Sequence, residues 1–188
     1  DINQKKIKEL GGKSHTYTAD VVGEFKETQY PNDEVLELKV GAQIMFIRND
    51  TSPDKKYYNG KLAQISYLDE DEISVILDGS EEEITLKAET WEQKKYSLDD
   101  EKNIKEEVLG SFKQFPIRLA WAVTIHKSQG LTFDRLIIDA GKSFASGQVY
   151  VALSRCRTLE GIILKSKITP EVIFSDKRVS KFQDETHA

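Results

Sequence analysis

From Leu119 to Arg157 the chain reads LAWAVTIHKSQGLTFDRLIIDAGKSFASGQVYVALSRCR, and the order of residue types there limits what it can fold into. A polar segment, Thr124-Ile125-His126-Lys127-Ser128-Gln129-Gly130, comes first. The short apolar run Leu136-Ile137-Ile138 follows, then Gly141, then an amphipathic segment ending in Arg155. A short apolar run bounded by turns predicts a buried parallel strand over Leu136 to Asp139. Gly147 to Arg157 predicts a helix with Ser146 as its cap. Val149, Ala152, Leu153 and Cys156 recur at i, i+3, i+4 and i+7, which makes one apolar face. Arg155 lies more than about 90° from the middle of that face and so projects away from the core. Gly161 to Lys165 predicts the next strand.

Charge separates this part of the chain from the rest. The whole chain carries a net charge of -5 over 188 residues. From Asp69 to Glu107 there are 15 acids against 5 lysines, and from Lys113 to Lys167 there are 9 lysines and arginines against 3 acids. The basic part coincides with the polar segment and the helix, as a phosphate-facing surface requires. Ordinary solvated charge is the plainer account of the same imbalance. The single cysteine, Cys156, excludes an internal disulfide and reads as a small buried hydrophobe, since no metal-ligand spacing surrounds it. No apolar run approaches the ~20 residues of a membrane span, and the opening Asp1-Ile2-Asn3-Gln4-Lys5-Lys6 lacks the apolar stretch of a signal peptide.

Upstream, residues 1–10 pattern as a helix ended by Gly11-Gly12, and Thr16 to Phe25 alternates as one strand. Leu36 to Ile47 is a second strand region broken at Gly41. Ala63–Leu68, Ile73–Leu77 and Ile84–Ala88 are short strands separated by the turns Asp69-Glu70-Asp71 and Asp78-Gly79-Ser80, which suggests a small antiparallel barrel or sandwich. Asp99 to Leu109 reads as a helix or a flexible return. Thr169-Pro170-Glu171 predicts a helical turn, and Asp176 to Phe182 the start of a terminal helix.

The pair Thr124–Gly130 and Tyr150-Val151-Ala152-Leu153-Ser154-Arg155, with a strand and helix between, resembles motifs V and VI of the superfamily 1 helicases, in the form of the Pif-type and RecD-type branch. Leu38-Lys39-Val40-Gly41-Ala42-Gln43-Ile44-Met45-Phe46, with Arg48-Asn49-Asp50 and Tyr58-Asn59-Gly60, resembles the family's sequence before its inserted domain, and Asp1-Ile2-Asn3 resembles the tail of motif IV. The resemblance implies an α/β fold: a second RecA-like domain, with a parallel sheet and flanking helices, over 1–45 and 113–188. It also implies an inserted antiparallel β-barrel of Src-homology-3 type over 46–112. By the same resemblance the chain is the C-terminal part of an ATP-dependent DNA helicase moving 5′ to 3′ on single-stranded DNA. ATP and Mg2+ would then be held mainly by an N-terminal RecA-like domain of the same protein. Such a protein is expected in the cytoplasm of a bacterium, or in the nucleus or mitochondrion of a eukaryote, with no membrane partner.

Residue roles follow from the same comparison. Arg155 is the arginine finger, a guanidinium that neutralises charge developing on the γ-phosphate during hydrolysis. Gln129, Gly130 and Thr132 line the nucleotide edge, Thr132 standing where the better-known branch has an acid that holds the ribose. Thr124, His126, Lys127 and Ser128 contact the single-strand backbone, donating to phosphate oxygens without reading sequence. Plainer roles stand beside these: a surface arginine paired with an acid for Arg155, with Arg157 as substitute finger, and an inward hinge histidine for His126. Trp121 and Trp91 read as core before base-stacking platforms, and His15 and His187 as surface residues. Neither Gly12-Lys13-Ser14 nor Gly141-Lys142-Ser143 makes a phosphate loop, because Ile7 and Leu136 occupy the first-glycine position. The fragment alone is therefore expected not to hydrolyse ATP. A nucleic-acid-binding module without motor activity, or a protein-interaction domain docking through its acidic barrel, are the other classes that fit.

Overall fold

A computed structural model describes residues 2–98, 103–140, 146–173, 176, 178 and 181–182. Contacts divide the chain into two compact units, Asp1–Ala122 and Val123–Ala188.

The first unit opens with helix α1, Ile2–Glu9, which buries Ile7; the chain then turns at Gly12, where φ is 86°. The Asn3 side chain ties α1 to the unit's far end, donating to the Ala122 carbonyl at 2.8 Å and accepting from the Ala122 amide at 2.9 Å. Strands β1 (His15–Thr18) and β2 (Asp20–Gly23) then replace the single strand expected over Thr16–Phe25. The chain changes sheets at Ala19: β1 pairs with β3 (Val35–Leu38), whereas β2 pairs with a much later strand. Alternation reports a strand but not its partners. His15, expected at the surface, is half-buried in β1.

Strands β4 (Gln43–Phe46), β5 (Leu62–Leu68), β6 (Ile73–Leu77) and β7 (Glu83–Leu86) follow. Gly41 makes the break before β4 with φ 85°, a conformation that glycine adopts without penalty. β5 and β7 alternate buried and exposed residues, while β6, between them, buries four of its five positions. That is the signature of strands with one face on a core. Ile44, Phe46, Ile65, Ile73, Val75 and Ile117 form the centre of that core, and Tyr57 stacks on Phe46 at 3.9 Å.

Two long strands complete the unit before the short β10 (Ile117–Leu119): β8 (Glu89–Leu98) and β9 (Ile104–Gln114). The helix or flexible return expected from Asp99 to Leu109 is corrected to strand from Ile104 onward, and residues 99–102 lie outside the described ones. Lysines and glutamates there show no apolar period, and the strand is held instead by its ladder to β8, with Lys94 bridging to Glu106 at 3.0 Å. The five-stranded sheet runs β10-β4-β5-β6-β7, with β10 and β7 as its edges, and a second sheet runs β2-β9-β8. Among the described residues these sheets are open and do not close into the expected barrel. The boundaries expected at 45/46 and 112/113 fall inside β4 and β9. Trp91 packs edge-on against Phe112, and the Arg48 guanidinium covers its ring at 5.2 Å, so that ring is filled by the protein itself. Trp121 packs against the same core as the strands.

The second unit holds a parallel pair, β11 (Leu136–Ile138) with β12 (Ile162–Leu164), and helix α2 (Gln148–Leu153). Ile138, Ala140, Val149 and Ala152 form its core, with Leu136, Leu153 and Ile162 packed around them. The strand at Leu136 is parallel as expected, but only Ile138 is buried; Ile137 is 67% and its neighbour Ile163 is 61% exposed. Cover lies on one face only among the described residues. A 3-10 turn at Pro170–Val172 matches the expected helical turn, and the terminal helix lies mostly outside the described residues. No helix among the described residues is long and apolar enough to cross a membrane.

Candidate functional site

The polar segment Thr124–Gly130 folds as a tight loop around a 3-10 turn at His126–Ser128. Its closure is local. The Ser128 amide donates to the Thr124 carbonyl at 3.0 Å, and the Lys127 amide donates to Thr124 Oγ1 at 3.2 Å. Ser128 is 5% exposed and its Oγ donates to the Ile125 carbonyl at 2.7 Å. With its proton committed and its oxygen buried, Ser128 locks the turn and does not offer the free hydroxyl expected of it. Thr124, His126 and Lys127 are exposed along this turn, so the inward hinge histidine is not what forms. Lys127 pairs with no acid among the described residues.

Gln129, Gly130 and Thr132 continue on the exposed side. Gly130 has φ 79°, and a Cβ there would meet nothing within 4 Å. Glycine is needed for its left-handed backbone, and the space above that backbone is open to a ligand. Leu131 then turns inward, and the Phe133 amide donates to the Arg155 carbonyl at 2.8 Å.

Helix α2 is shorter than the sequence suggests. It ends at Leu153, so Ser154, Arg155 and Cys156 form a turn beyond it. Its N-cap is Gly147, at φ 76°, with no side-chain capping bond, and Ser146 is not the cap. Glycine's left-handed conformation sets the entry where a hydroxyl was expected. Cys156 is half-buried, not sealed, and its thiol donates to the Asp134 carbonyl at 3.4 Å. Gly161 faces that contact: a Cβ there would collide with both the Asp134 carbonyl and Cys156 Sγ.

Arg155 is half-buried and held on three sides. Nε donates to the Val151 carbonyl at 3.1 Å, Nη1 to the Leu131 carbonyl at 3.1 Å, and Nη2 to Ser154 Oγ at 2.9 Å. None of these partners is an acid, so the surface ion pair considered for Arg155 does not form. Arg157 instead makes that pair, with Nε 3.3 Å from Asp134 and both side chains largely exposed. A guanidinium carries five N–H donors, so two of those on Arg155 remain for a ligand. Its contact with Leu131 brings both motifs into one hydrogen-bonded patch. That contact is invisible in the sequence because a main-chain carbonyl has no residue signature. Gly141-Lys142-Ser143 lies outside the described residues, and Gly12-Lys13-Ser14 runs directly into β1, not into the helix a phosphate loop needs. Among the described residues no group of three or more His, Cys, Asp or Glu could hold a metal ion.

Comparison with known proteins gives a consistent answer. No protein-family model matches the chain. The ATP-dependent DNA helicase PIF1 of Rattus norvegicus is 35% identical over 192 residues, covering 96% of this chain and 28% of that protein. The ATP-dependent DNA helicase Pif1 of Bdellovibrio bacteriovorus is 39% identical over 152 residues, covering 81% of this chain and 32% of that protein. Among solved structures, unliganded Pif1 from Bacteroides sp. superposes with a TM-score of 0.88 at 41% identity, over 100% of this chain and 42% of that one. Bacteroides Pif1 bound to ssDNA superposes with a TM-score of 0.73 at 40% identity, over 98% of this chain and 42% of that one. The chain thus spans about a third of the length of the curated relatives it matches.

Proposed function

Because this chain belongs to the Pif1-type superfamily 1 helicases, we propose that it is the C-terminal part of an ATP-dependent helicase moving 5′ to 3′ on single-stranded DNA. The observation that carries the reading is the hydrogen bond from Arg155 to the Leu131 carbonyl, which joins the arginine to the loop that would touch DNA. Relatives are named ATP-dependent DNA helicases, and one solved relative holds ADP-AlF4, which supports nucleotide use by the intact protein.

In this reading Arg155 is the catalytic finger. Attack of water on the γ-phosphate loads charge onto its outer oxygens, and the two free N–H groups of the guanidinium stabilise that charge when the N-terminal RecA-like domain brings the nucleotide against them. Gln129, Gly130 and Thr132 face the nucleotide edge, where open backbone at Gly130 permits close approach. Thr124, His126 and Lys127 donate to phosphates of the strand, and Ser128 keeps their turn in shape. Mg2+, were it bound, would supply positive charge to offset that of the phosphates. The resemblance to the family puts the ligands of that ion and the phosphate loop on the N-terminal domain of the intact protein. In this reading the second RecA-like domain comprises 1–45 and 113–188, with β11, β12 and α2, and the segment inserted into it is 46–112, which carries β5, β6, β7, β8 and most of β9.

DNA-stimulated ATPase of the full-length protein tests this. Arg155→Ala is expected to lower kcat by roughly 10³-fold or more, with single-strand affinity nearly unchanged. Wild-type turnover in that variant refutes the finger.

A further inference from the structure

The bonding around Arg155 contains one side-chain partner, and it assigns a role to a residue the reading above leaves idle. We propose that Ser154 is a positioning residue for Arg155, an inference that rests on Arg155 being the finger. Ser154 Oγ accepts from Arg155 Nη2 at 2.9 Å and donates to the Val151 carbonyl at 3.0 Å. The same Val151 carbonyl accepts from Arg155 Nε. Serine, arginine and carbonyl therefore close a small ring in which the hydroxyl uses its proton on the backbone and offers its lone pair to the guanidinium. Orientation is fixed by that division, because a guanidinium has no acceptor and Oγ can only receive from Arg155.

The physical consequence is preorganisation. An arginine side chain is long and loses much rotamer freedom when it is held in one place. A finger that must find its rotamer while the domains close loses that freedom at the moment of reaction, whereas a finger already held does not. The other two partners, the Leu131 and Val151 carbonyls, belong to the main chain and cannot be removed by substitution. Ser154 is exposed and sits in the turn just past α2, where its amide bonds to the Tyr150 carbonyl at 2.9 Å whatever its side chain. Its hydroxyl thus serves the guanidinium as well as the backbone at the end of α2, which is why rescue by threonine and the double variant are needed to separate the two.

Steady-state ATPase of the full-length protein with saturating single-stranded DNA tests the proposal, on Ser154→Ala, Ser154→Thr, Arg155→Ala and the double variant Ser154→Ala/Arg155→Ala. Ser154→Ala should lower kcat about five- to tenfold with KM for ATP unchanged. Ser154→Thr, which keeps the hydroxyl, should restore most of the loss. The double variant should be no worse than Arg155→Ala, since the serine acts through the arginine. Wild-type kcat in Ser154→Ala beside a disabled Arg155→Ala overturns the positioning role and leaves the finger intact. A loss that threonine does not restore, or a further drop in the double variant, overturns it too. An active Arg155→Ala removes the finger and this proposal together.

Discussion

Lys127 offers the sharpest test of the DNA contact, because its removal disturbs little else. Its side chain is exposed and pairs with no acid among the described residues, and only its backbone amide closes the turn, onto Thr124 Oγ1 at 3.2 Å. Lys127→Ala therefore deletes one charge and leaves the loop's bonds in place. On single-stranded nucleic acid each neutralised phosphate contributes about 0.7 to the slope of log K against log salt. Losing one contact should flatten that slope by about 0.7. Between 50 and 200 mM salt, a fourfold range, the flattening corresponds to about 2.6-fold. The affinity gap between wild type and variant should narrow by that factor across the titration. Fluorescence anisotropy of a labelled oligothymidylate against full-length protein, at four or five salt concentrations, measures both slopes. Gln129→Ala, placed at the nucleotide edge, should keep the wild-type slope. Parallel salt lines for wild type and Lys127→Ala would show that this lysine meets no phosphate, and the assignment of the loop would fall with it.

Two further outcomes concern the fold. Phe112 is fully buried among Phe25, Tyr30 and Trp91, with the Tyr30 ring centroid at 4.7 Å, and Phe112→Ala should destabilise the first unit by about 3–5 kcal/mol, read from the urea midpoint; a loss under about 1 kcal/mol contradicts the packing. Burial, helped by the charge of Asp69 and the nearby Tyr67, pushes the Tyr17 hydroxyl up to about 12, and it donates to the Asp69 carbonyl at 2.6 Å. Its folded pKa lies above the unfolded value of 10.0, so the folded state keeps its proton longer. The contribution is complete below pH 10 and is lost as pH rises toward 12. Urea midpoints from pH 8 to 12 should fall less steeply in Tyr17→Phe than in wild type, and equal slopes refute the assignment.

What could be read in the sequence was whatever depends on neighbours along the chain. The apolar runs at Ile65, Ile73 and Leu136 declare strands because burial on one face imposes its own period, and TIHKSQG declares a loop because its hydroxyls close their own turn. Pairing between distant segments leaves no such mark. Nothing near Ala19 reports that β1 and β2 join different sheets, and the charged residues of β8 and β9 show no apolar period to reveal an antiparallel pair held by backbone. At α2 the error was chemical: Ser146 is a good cap by residue type, yet Gly147 has the backbone that starts the helix. The site followed the same division. Residue types identified Arg155 and the polar loop, whereas the carbonyls that hold Arg155 carry no residue identity at all.

The net acidity of the chain does not oppose the proposed DNA contact, because charge is unevenly spread along the sequence. At physiological ionic strength salt screens exposed charges over about 8 Å. Between Asp69 and Glu107 there are 15 acids against 5 lysines, whereas the loop and Arg155 lie in the stretch with 9 basic residues against 3 acids. Two of those three acids are already engaged, Asp134 with Arg157 at 3.3 Å and Asp139 with Lys165 at 2.9 Å. Among the described residues Lys127 pairs with no carboxylate, which leaves its charge for the proposed phosphate contact. Local charge, not the total, would set the affinity of such a site. The same screening makes the proposed contact sensitive to salt, which is why a slope discriminates where a single affinity would not.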